Sequence, residues 1–388
     1  MTFLLIASAI KVFLVFNLIM VGVALLTLLE RRVCAWMQDR LGPNRVGPQG
    51  LLQPAADGLK NFLKEETSPA MADKTLFTLA PIISFVPALL TFGVIPFAAP
   101  LPTKWGLVPM VVADLPVGFL YILAISSLGV YGIVLAGWAS NNKYALLGGL
   151  RASAQMISYE IALGMSTVAV ILLAGNVTLS QVIAQQQHAH VWFIIPLSIA
   201  FVVFFISAFA ETNRLPFDLP EAEGELIAGY HTEYSAMKFS MFYIAEYSNM
   251  VTASALMATL FFGGWDIPLT TWDSTGDPSV LKTLLTLAVF GAKTFVFLFT
   301  YIWVRWTLPR FRYDQLMALG WKVLLPLTLV YITLVAVAIW FIRVRLGWEY
   351  GTGMALVLGG LNLVLLIVLV YWLDRGRLVS GSVQEETA

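Results

Sequence analysis

The chain alternates long apolar stretches with short connections that carry most of its charged residues. An α-helix needs about 20 apolar residues to cross the hydrocarbon core of a bilayer. Nine stretches reach about that length, and the prolines and glycines inside them are tolerated in membrane helices. The pattern predicts an all-α polytopic membrane protein with transmembrane helices at about 5–29, 76–99, 110–138, 152–174, 191–210, 238–262, 281–304, 322–342 and 353–373.

The first connection holds a short segment with an amphipathic pattern. Its apolar residues recur at helical spacing, opposite a polar face that includes Asp57 and Lys60; they are Leu51, Leu52, Ala55, Leu59, Phe62 and Leu63. A short helix of this kind lies in the plane of the membrane interface. Two roles fit the pattern, an anchor against the bilayer and a wall of a lipid-accessible cavity, and spacing alone favours the anchor.

Composition agrees with a membrane protein and excludes several kinds of site. Hydrophobic residues make up 59% of the 388 residues, and the formal net charge of zero does not suggest a nucleic-acid partner. The single cysteine, Cys34, excludes an internal disulfide and any cysteine-built zinc or iron–sulfur site. No Gly-rich phosphate loop or dinucleotide fingerprint occurs. We therefore expect this chain to bind no metal and no redox cofactor of its own.

Charge asymmetry predicts the orientation. Seventeen Lys and Arg lie in the odd-numbered connections and the C-terminal tail, against five on the opposite side. The positive-inside rule then places the N-terminus outside, the C-terminus in the cytoplasm, and the connections 30–75, 139–151, 211–238 and 305–322 on the cytoplasmic face. The first stretch ends in Glu30-Arg31-Arg32 and lacks a small-residue cleavage site, so it is a transmembrane helix and no cleaved signal peptide.

One cytoplasmic connection is unusually acidic. Between positions 211 and 233 there are six acids, with Arg214 as the only fixed positive charge: Glu211, Asp218, Glu221, Glu223, Glu225 and Glu233. Carboxylates held close together cannot all ionise near neutral pH, so the cluster favours proton handling. Helix-dipole matching after Pro220 explains one or two of these acids, but it does not explain like charges at i,i+4.

Three charged residues lie deep inside the predicted transmembrane helices, well away from their ends. Glu160 and Glu246 lie about 12–14 Å from the cytoplasmic end, and Lys293 lies close to mid-membrane. Each costs roughly 2.5–3.5 kcal/mol to insert, so each needs a function. A buried Glu246–Lys293 pair could simply hold helices together. Two acids at matching depth below the acidic connection agree better with a proton path.

Several long motifs resemble the membrane subunit of respiratory complex I that joins the peripheral arm to the membrane arm, the family of H subunits, also called subunit 1. They are Gly42-Pro-Asn-Arg-Val-Gly-Pro48, Gly50-Leu-Leu-Gln-Pro-Ala-Ala-Asp57, Gly137-Trp-Ala-Ser-Asn141, Leu150-Arg-Ala-Ser-Ala-Gln155, Ser158-Tyr-Glu160, Glu211-Thr-Asn-Arg-Leu-Pro-Phe-Asp-Leu219, Gly229-Tyr-His-Thr-Glu-Tyr234, Ala245-Glu-Tyr-Ser-Asn249 and Pro309-Arg-Phe-Arg-Tyr-Asp-Gln-Leu-Met317. The resemblance divides the chain into a core of eight spans, 1–345, and an extra C-terminal helix and tail, 346–388.

The resemblance implies a subunit, inactive alone, of a proton-translocating NADH:quinone oxidoreductase in a bacterial inner membrane. Electrons then pass from NADH through flavin and iron–sulfur clusters of partner subunits to ubiquinone or menaquinone. The quinone enters from the lipid through a cavity that this subunit largely builds. The implied partners are the peripheral-arm subunits of the quinone site, the adjacent small membrane subunits, the quinone and the bilayer.

The resemblance also assigns residues, motif by motif. The quinone cavity takes Arg31, Arg32, Trp36, Arg45, Asp57, Lys60, Arg214 and Asp218. Proton transfer and coupling take Glu160, Glu211, Glu221, Glu223, Glu225, Glu233 and Glu246, with Lys293 beyond them. Contact with the peripheral arm takes Arg305, Arg310, Arg312 and Asp314. In this interpretation quinone reduction changes the charge of the cavity, and the carboxylates re-equilibrate their protons toward neighbouring membrane subunits.

Two other functions compete with this interpretation. The nearest is the homologous subunit of a membrane-bound hydrogenase or of a ferredoxin-linked complex, which the acidic connection disfavours. The other is a stand-alone proton-coupled transporter, which also needs intramembrane acids. Transporters of that kind often consist of two related halves, and no repeat occurs in this sequence.

Overall fold

The computed structural model describes residues 2–104, 106–218, 228–267, 270, 272 and 277–374. This part of the chain forms twelve α-helices, numbered in chain order. They are α1 Thr2–Met37, α2 Gln53–Leu63, α3 Lys74–Leu90, α4 Gly118–Ala139, α5 Lys143–Ala174, α6 Leu179–Ala189, α7 Ser198–Glu211, α8 Ala236–Phe261, α9 Val280–Thr307, α10 Tyr313–Ala318, α11 Leu325–Arg345 and α12 Thr352–Asp374. A π-helical turn, Leu319–Leu324, joins α10 to α11. The only strands in the described part form a small antiparallel hairpin, β1 Leu101–Thr103 and β2 Gly106–Val108.

The all-α polytopic fold is confirmed, whereas the count of nine transmembrane helices is not. Seven helical stretches among the described residues are long and apolar enough to cross a membrane. They are Ile6–Met37, Lys74–Val94, Gly118–Ala139, Lys143–Ala174, Val280–Thr307, Tyr313–Arg345 and Thr352–Tyr371. The other two predicted spans correspond to α7, which has 14 residues, and to α8, whose 26 residues include Glu246, Asn249 and several hydroxyl side chains that lower its hydropathy.

Local sequence signals explain several helix boundaries. The Asp73 carboxylate caps α3 by accepting hydrogen bonds from the amides of Thr75 and Leu76. Asn142 caps α5 in the same way, and Gly175 ends that helix in the left-handed conformation. The predicted third span began at 110, but α4 begins at Gly118 because Pro116 disfavours helical backbone in the residue before it.

The helices pack around α5, and the resulting core positions the functional residues. α5 contacts α4, α7 and α11, while α3 packs against α4 and α8. α1 leaves Phe13, Leu18 and Val21 on an exposed apolar face, as a lipid-facing helix does. With 36 residues, α1 is about 54 Å long and therefore extends beyond the hydrocarbon core at its C-terminal end.

The amphipathic helix predicted in the first connection is α2. None of its residues is buried, and its apolar side chains Leu59 and Phe62 are 59% and 71% exposed. Their exposure fits a helix whose apolar face rests on lipid. α2 lies beside the C-terminal part of α1 and contacts α8.

Candidate functional site: a buried charge cluster beside a cavity

Five side chains from four parts of the chain form one buried group, which we call the charge cluster: Glu30, Arg214, Glu246, Tyr247 and Arg305. Arg214 is only 4% exposed. Its Nη1 lies 3.2 Å from Glu30 Oε1 and its Nε lies 2.5 Å from Glu246 Oε1. Arg305 also pairs with Glu30, and the Tyr247 hydroxyl donates a 2.6 Å hydrogen bond to it. The cluster therefore balances two carboxylates against two guanidinium groups.

Arg214 occupies the centre of the charge cluster. Its guanidinium also lies over the Tyr247 ring, 4.2 Å from the centroid, an arrangement that favours a cation. Burial alone would lower the pKa of Arg214, but Glu246, Tyr247 and Glu30 raise it well above its ordinary value. Arg214 is therefore a permanent positive charge between two carboxylates.

The turn that carries Arg214 is held by a side chain of α5. Gln155, which is fully buried, donates hydrogen bonds to the carbonyls of Ala210 (2.8 Å) and Phe217 (2.7 Å). One amide thus ties together the two ends of the turn that follows α7. This buried contact fixes Arg214 relative to the helical core.

A cavity of about 440 Å³ opens beside the charge cluster. Its walls come from the C-terminal end of α1, the following connection, α8 and the end of α9. The lining residues that bear on its chemistry are Thr27, Glu30, Arg31, Cys34, Tyr247, Arg305 and Trp306. The lining thus combines charged side chains with aromatic surface, a mixture that can orient a ligand.

Of the eight residues predicted for the quinone cavity, Arg31 lines this opening, and Asp57 lies beside it with Lys60. Arg31 Nη1 is 2.5 Å from Asp57 Oδ2, and Lys60 is 3.6 Å from the same carboxylate. Partial burial tends to raise the pKa of Asp57, but the hydrogen bond and charge of Arg31 hold it below its ordinary value. Arg32 donates to the Gln49 carbonyl. Trp36 and Arg45 are exposed.

Asp218 pairs with one of the predicted peripheral-arm residues. Asp218 is 5% exposed and pairs with Arg310 at 3.2 Å. Arg310, Arg312 and Asp314 are exposed, and Asp314 lies in the first turn of α10. Arg305 was grouped with them from the sequence, but it points inward and belongs to the charge cluster. It does so because it lies in the last turn of α9, which packs against α1.

The acids predicted for proton transfer divide into separate sets. Glu211 and Glu246 line a narrow cavity of about 30 Å³ together with Asn213 and Asn249. Glu160 and Glu211 hydrogen-bond to neighbouring hydroxyls of α4, those of Ser127 and Ser126. Glu233 lies apart from them and accepts a 2.7 Å hydrogen bond from Asn142. Glu221, Glu223 and Glu225 lie outside the described residues.

Lys293 does not join these acids. Its Nζ donates to the carbonyls of Phe262, Gly264 and Asp266 at 2.6, 3.0 and 2.6 Å. Phe262 follows Glu246 by 16 residues, which is about 24 Å along a helix. The Glu246–Lys293 pair considered from the sequence therefore does not form, because Glu246 pairs with Arg214 and Lys293 binds the loop after α8.

Sequence reasoning missed three residues of this site. Glu30 is 5% exposed and has three partners, yet it appeared in the sequence only as the end of the first span. Its position directly before Arg31-Arg32 was the available signal. Tyr247 directly follows Glu246, and Gln155 ends one of the family motifs, but neither contact could be inferred without the packing of α5, α7 and α8. Within the described ranges, no three His, Cys, Asp or Glu side chains form a possible metal site.

Comparison with known proteins identifies the family. Residues 10–336 match the family described as NADH dehydrogenase. The chain is 52% identical over 335 residues to the NADH-quinone oxidoreductase H subunit 1 of Geobacter metallireducens, a match that covers 86% of this chain and 96% of that protein. It is 51% identical over 332 residues to the H subunit 2 of Geobacter sulfurreducens, with the same coverage. This chain therefore belongs to the NADH dehydrogenase family, with the H subunits of NADH-quinone oxidoreductase.

Proposed function

We propose that this chain builds the quinone access cavity of a proton-translocating NADH:quinone oxidoreductase and couples quinone reduction to proton movement. It carries no redox centre in this proposal. Flavin and iron–sulfur clusters belong to partner subunits of the peripheral arm. The change in charge at the cavity passes to adjacent small membrane subunits. The substrate is ubiquinone or menaquinone, and the membrane is a bacterial inner membrane.

The observation that carries the proposal is the cavity of about 440 Å³ that ends at the charge cluster. A quinone headgroup has two carbonyl oxygens, which accept hydrogen bonds and gain negative charge on reduction. Arg31 and Arg305 line the cavity and supply donors of the right charge, while Trp306 and Tyr243 supply apolar surface. The exposed apolar face of α2 beside α1 offers a route from the lipid.

The charge cluster gives the proposal a coupling step. Quinone accepts two electrons from a partner's cluster and two protons to become quinol. Unit charges 4 Å apart interact by about 4 kcal/mol at an effective dielectric constant of 20. A negative charge that appears in the cavity and is then neutralised therefore changes the strength of the two ion pairs that Arg214 makes, one with Glu30 and one with Glu246. Glu246 lines the narrow cavity together with Glu211. A change in the proton affinity of Glu246 therefore acts at the start of the proposed proton path.

The proposed path continues through the acids of α5 and α7. Glu211 and Glu160 influence each other electrostatically and have the Ser126 and Ser127 hydroxyls beside them. Hydroxyls both donate and accept, so they can pass protons between carboxylates. Glu221, Glu223, Glu225 and Glu233 complete the acidic funnel in this proposal, and Lys293 is left out because of its distance from Glu246.

Quinone binding is tested with a photoreactive quinone analogue in the assembled complex. We expect it to label the wall formed by 27–43 and 243–247, and an excess of short-chain quinone should prevent labelling. Thr27→Trp, which fills the cavity from α1, should abolish both labelling and quinone reduction. Val21→Trp adds the same ring to the exposed face of α1 and serves as control. Unchanged labelling in Thr27→Trp would show that the quinone binds elsewhere.

The proposed orientation has its own test. In a Cys34→Ala background, single cysteines replace Asn176 after α5 and Asn141 after α4, both at exposed positions. An impermeant thiol reagent should label Asn176→Cys from the periplasmic side and Asn141→Cys only after the membrane is opened. The reverse pattern would overturn the orientation.

A further inference from the structure

The fifth predicted span is interrupted in its outer third. α7 has 14 residues and is about 21 Å long, whereas the hydrocarbon core is about 30 Å thick. The segment 191–197 that precedes α7 is not helical, although the sequence predicted a helix from 191. Irregular backbone at membrane depth persists only where protein satisfies its polar groups. The partners of 191–197 therefore determine how this span is held.

Part of this segment is satisfied by elements of the eight-span core. Gln186 of α6 accepts a 3.0 Å hydrogen bond from the Phe193 amide, and the Ile194 amide donates to the Phe261 carbonyl at 3.0 Å. The Trp192 ring centroid lies 4.4 Å from Lys293 Nζ, and its Nε1 donates a 2.7 Å hydrogen bond to Asp266 Oδ2. These contacts tie one side of the segment to the loop after α8.

Two carbonyls of the segment are satisfied from beyond residue 345. The Tyr350 hydroxyl donates to the Val191 carbonyl at 3.2 Å, and its ring packs edge-on against Phe193. Asn362 of α12 donates to the Pro196 carbonyl at 2.5 Å and is fully buried. The two acceptors lie near opposite ends of 191–197, so the extension bridges the whole interruption.

Asn362 is held in place for this contact. Its Oδ1 accepts a 2.8 Å hydrogen bond from the Tyr331 hydroxyl of α11, and its Nδ2 also donates to Leu358 in its own helix. Gly359, one turn earlier, permits the close approach, because a Cβ there would lie 3.3 Å from the Ile195 carbonyl oxygen. The buried side of α12 is a narrow stripe that includes Met354, Ala355, Leu358 and Asn362, whereas Leu356 and Leu363 are 70% and 60% exposed.

We propose that the C-terminal extension covers the interrupted fifth span from within the same chain, with Tyr350 and Asn362 as its two polar contacts. Without them, the carbonyls of Val191 and Pro196 would lose these donors in the outer part of the bilayer, at the cost of a buried polar group left unsatisfied. The cover anchors the outer end of α7. Asn362 is thus a positioning residue for the inner end of the same helix, which carries Glu211 and leads to Arg214; this second step rests on the proposed function.

Hydrogen–deuterium exchange of the assembled complex in lipid nanodiscs tests the cover directly. Asn362→Leu keeps the branching at Cγ, with a larger side chain, and removes the donor, so the amides of 191–195, 197 and 198 should exchange about tenfold faster. Leu363→Ala, on the exposed face of α12, should leave them unchanged. Unchanged exchange in Asn362→Leu, or an equal increase in Leu363→Ala, would overturn the cover.

Two milder variants keep the test decisive even when Asn362→Leu does not assemble. Tyr350→Phe keeps the ring against Phe193 and removes only the hydroxyl, so exchange should rise at 191–193. Tyr331→Phe leaves the Asn362–Pro196 bond in place, so its effect on 191–198 should be smaller, about threefold or less. No change in Tyr350→Phe would remove that residue from the proposal.

Positioning is tested separately by steady-state kinetics on the same samples. Asn362→Leu should lower kcat for quinone reduction per assembled complex about threefold, with KM for quinone and the NADH-to-artificial-acceptor rate unchanged. Faster exchange with normal kcat would confirm the cover and overturn the positioning step. The exchange measurement needs no quinone activity, so failure of the proposed function and failure of the cover are distinguishable.

Discussion

The charge cluster can be compared with a second buried polar region, which we call the loop junction. The loop junction comprises 191–197 and 262–266 with Gln186, Lys293, Tyr350 and Asn362. The charge cluster pairs side-chain carboxylates with guanidinium groups, so its energy depends on protonation. In the loop junction, side chains mainly donate to backbone carbonyls, which do not titrate in water. We therefore expect protonation to matter at the charge cluster, whereas the loop junction maintains structure.

The largest effect is expected where the charge cluster loses its centre. Arg214→Met leaves Glu30 and Glu246 buried with one cation fewer, and removal of one partner of a buried pair costs about 3–5 kcal/mol. We expect little assembled complex on native gels and no quinone reduction in membranes. Arg345→Met, at an exposed position with no assigned role, should change stability by less than about 0.5 kcal/mol. Normal assembly of Arg214→Met would contradict the importance of the cluster.

Glu246→Gln tests whether the cluster acts through its titratable groups. The amide keeps the shape of the side chain and removes the exchangeable charge. Loss of one carboxylate beside Arg214 should lower the amount of assembled complex. In the complexes that assemble, the NADH-to-artificial-acceptor rate should stay normal, while quinone reduction and proton pumping per complex fall together by about tenfold or more. Vesicle assays of both rates provide the measurement. If Glu246 were only structural, assembly would fall and the activity per complex would stay normal.

Lys293→Met should give the opposite result and so sharpens the comparison. It removes three donors from the carbonyls of Phe262, Gly264 and Asp266, at about 1–3 kcal/mol for each carbonyl left buried and unsatisfied. We expect a lower melting temperature of the detergent-solubilised complex and less assembly, with normal pumping for each quinone reduced. A lowered pumping ratio in the complexes that do assemble would return Lys293 to the proton path.

The smallest effect is expected at the mouth of the cavity, in Asp57→Asn. The pKa of Asp57 is depressed in the folded protein, so its stabilisation is present above the ordinary carboxylate pKa and is lost as pH falls through the folded value. The pair with Arg31 is partly exposed, which limits it to about 1 kcal/mol or less. Between pH 5 and 8 the thermal stability of wild type and variant should run parallel. A difference that appears in this range would mean that Asp57 titrates near neutrality.

The apolar pattern predicted the architecture well because it reports burial in lipid directly. It predicted helices where α1, α3, α5, α9 and α12 occur, and the amphipathic spacing predicted α2. It failed at 191–197, because this stretch is as apolar as the predicted transmembrane helices but is not helical. There the conformation depends on donors such as Tyr350 and Asn362, more than 150 residues away. Pro196 was the one local signal, because it disfavours helical backbone in the residue before it. The partners of the segment could not be inferred from local sequence.

The site was predictable in its residue types but not in its pairings. Glu246 and Arg214 were identified as functional, yet their contact depends on the turn that Gln155 holds. Depth counted along the sequence suggested that Lys293 lies beyond the acids on one path. Such counting cannot show that the loop after α8 folds against Lys293. Glu30 was missed because a charge at the end of a span normally needs no partner in the protein.

The wide spacing of the charge cluster along the chain has a consequence for biogenesis. Glu30 is separated by 184 residues from Arg214, by 217 from Tyr247 and by 275 from Arg305. A ribosome that releases the chain from its N-terminus delivers the carboxylate first and its last cation only after most of the protein has been synthesised. Until then Glu30 has at most Arg214 and Tyr247 as partners. We therefore expect the docking of α1 to be completed late, and a truncated nascent chain that stops before residue 305 should hold its first helix less firmly.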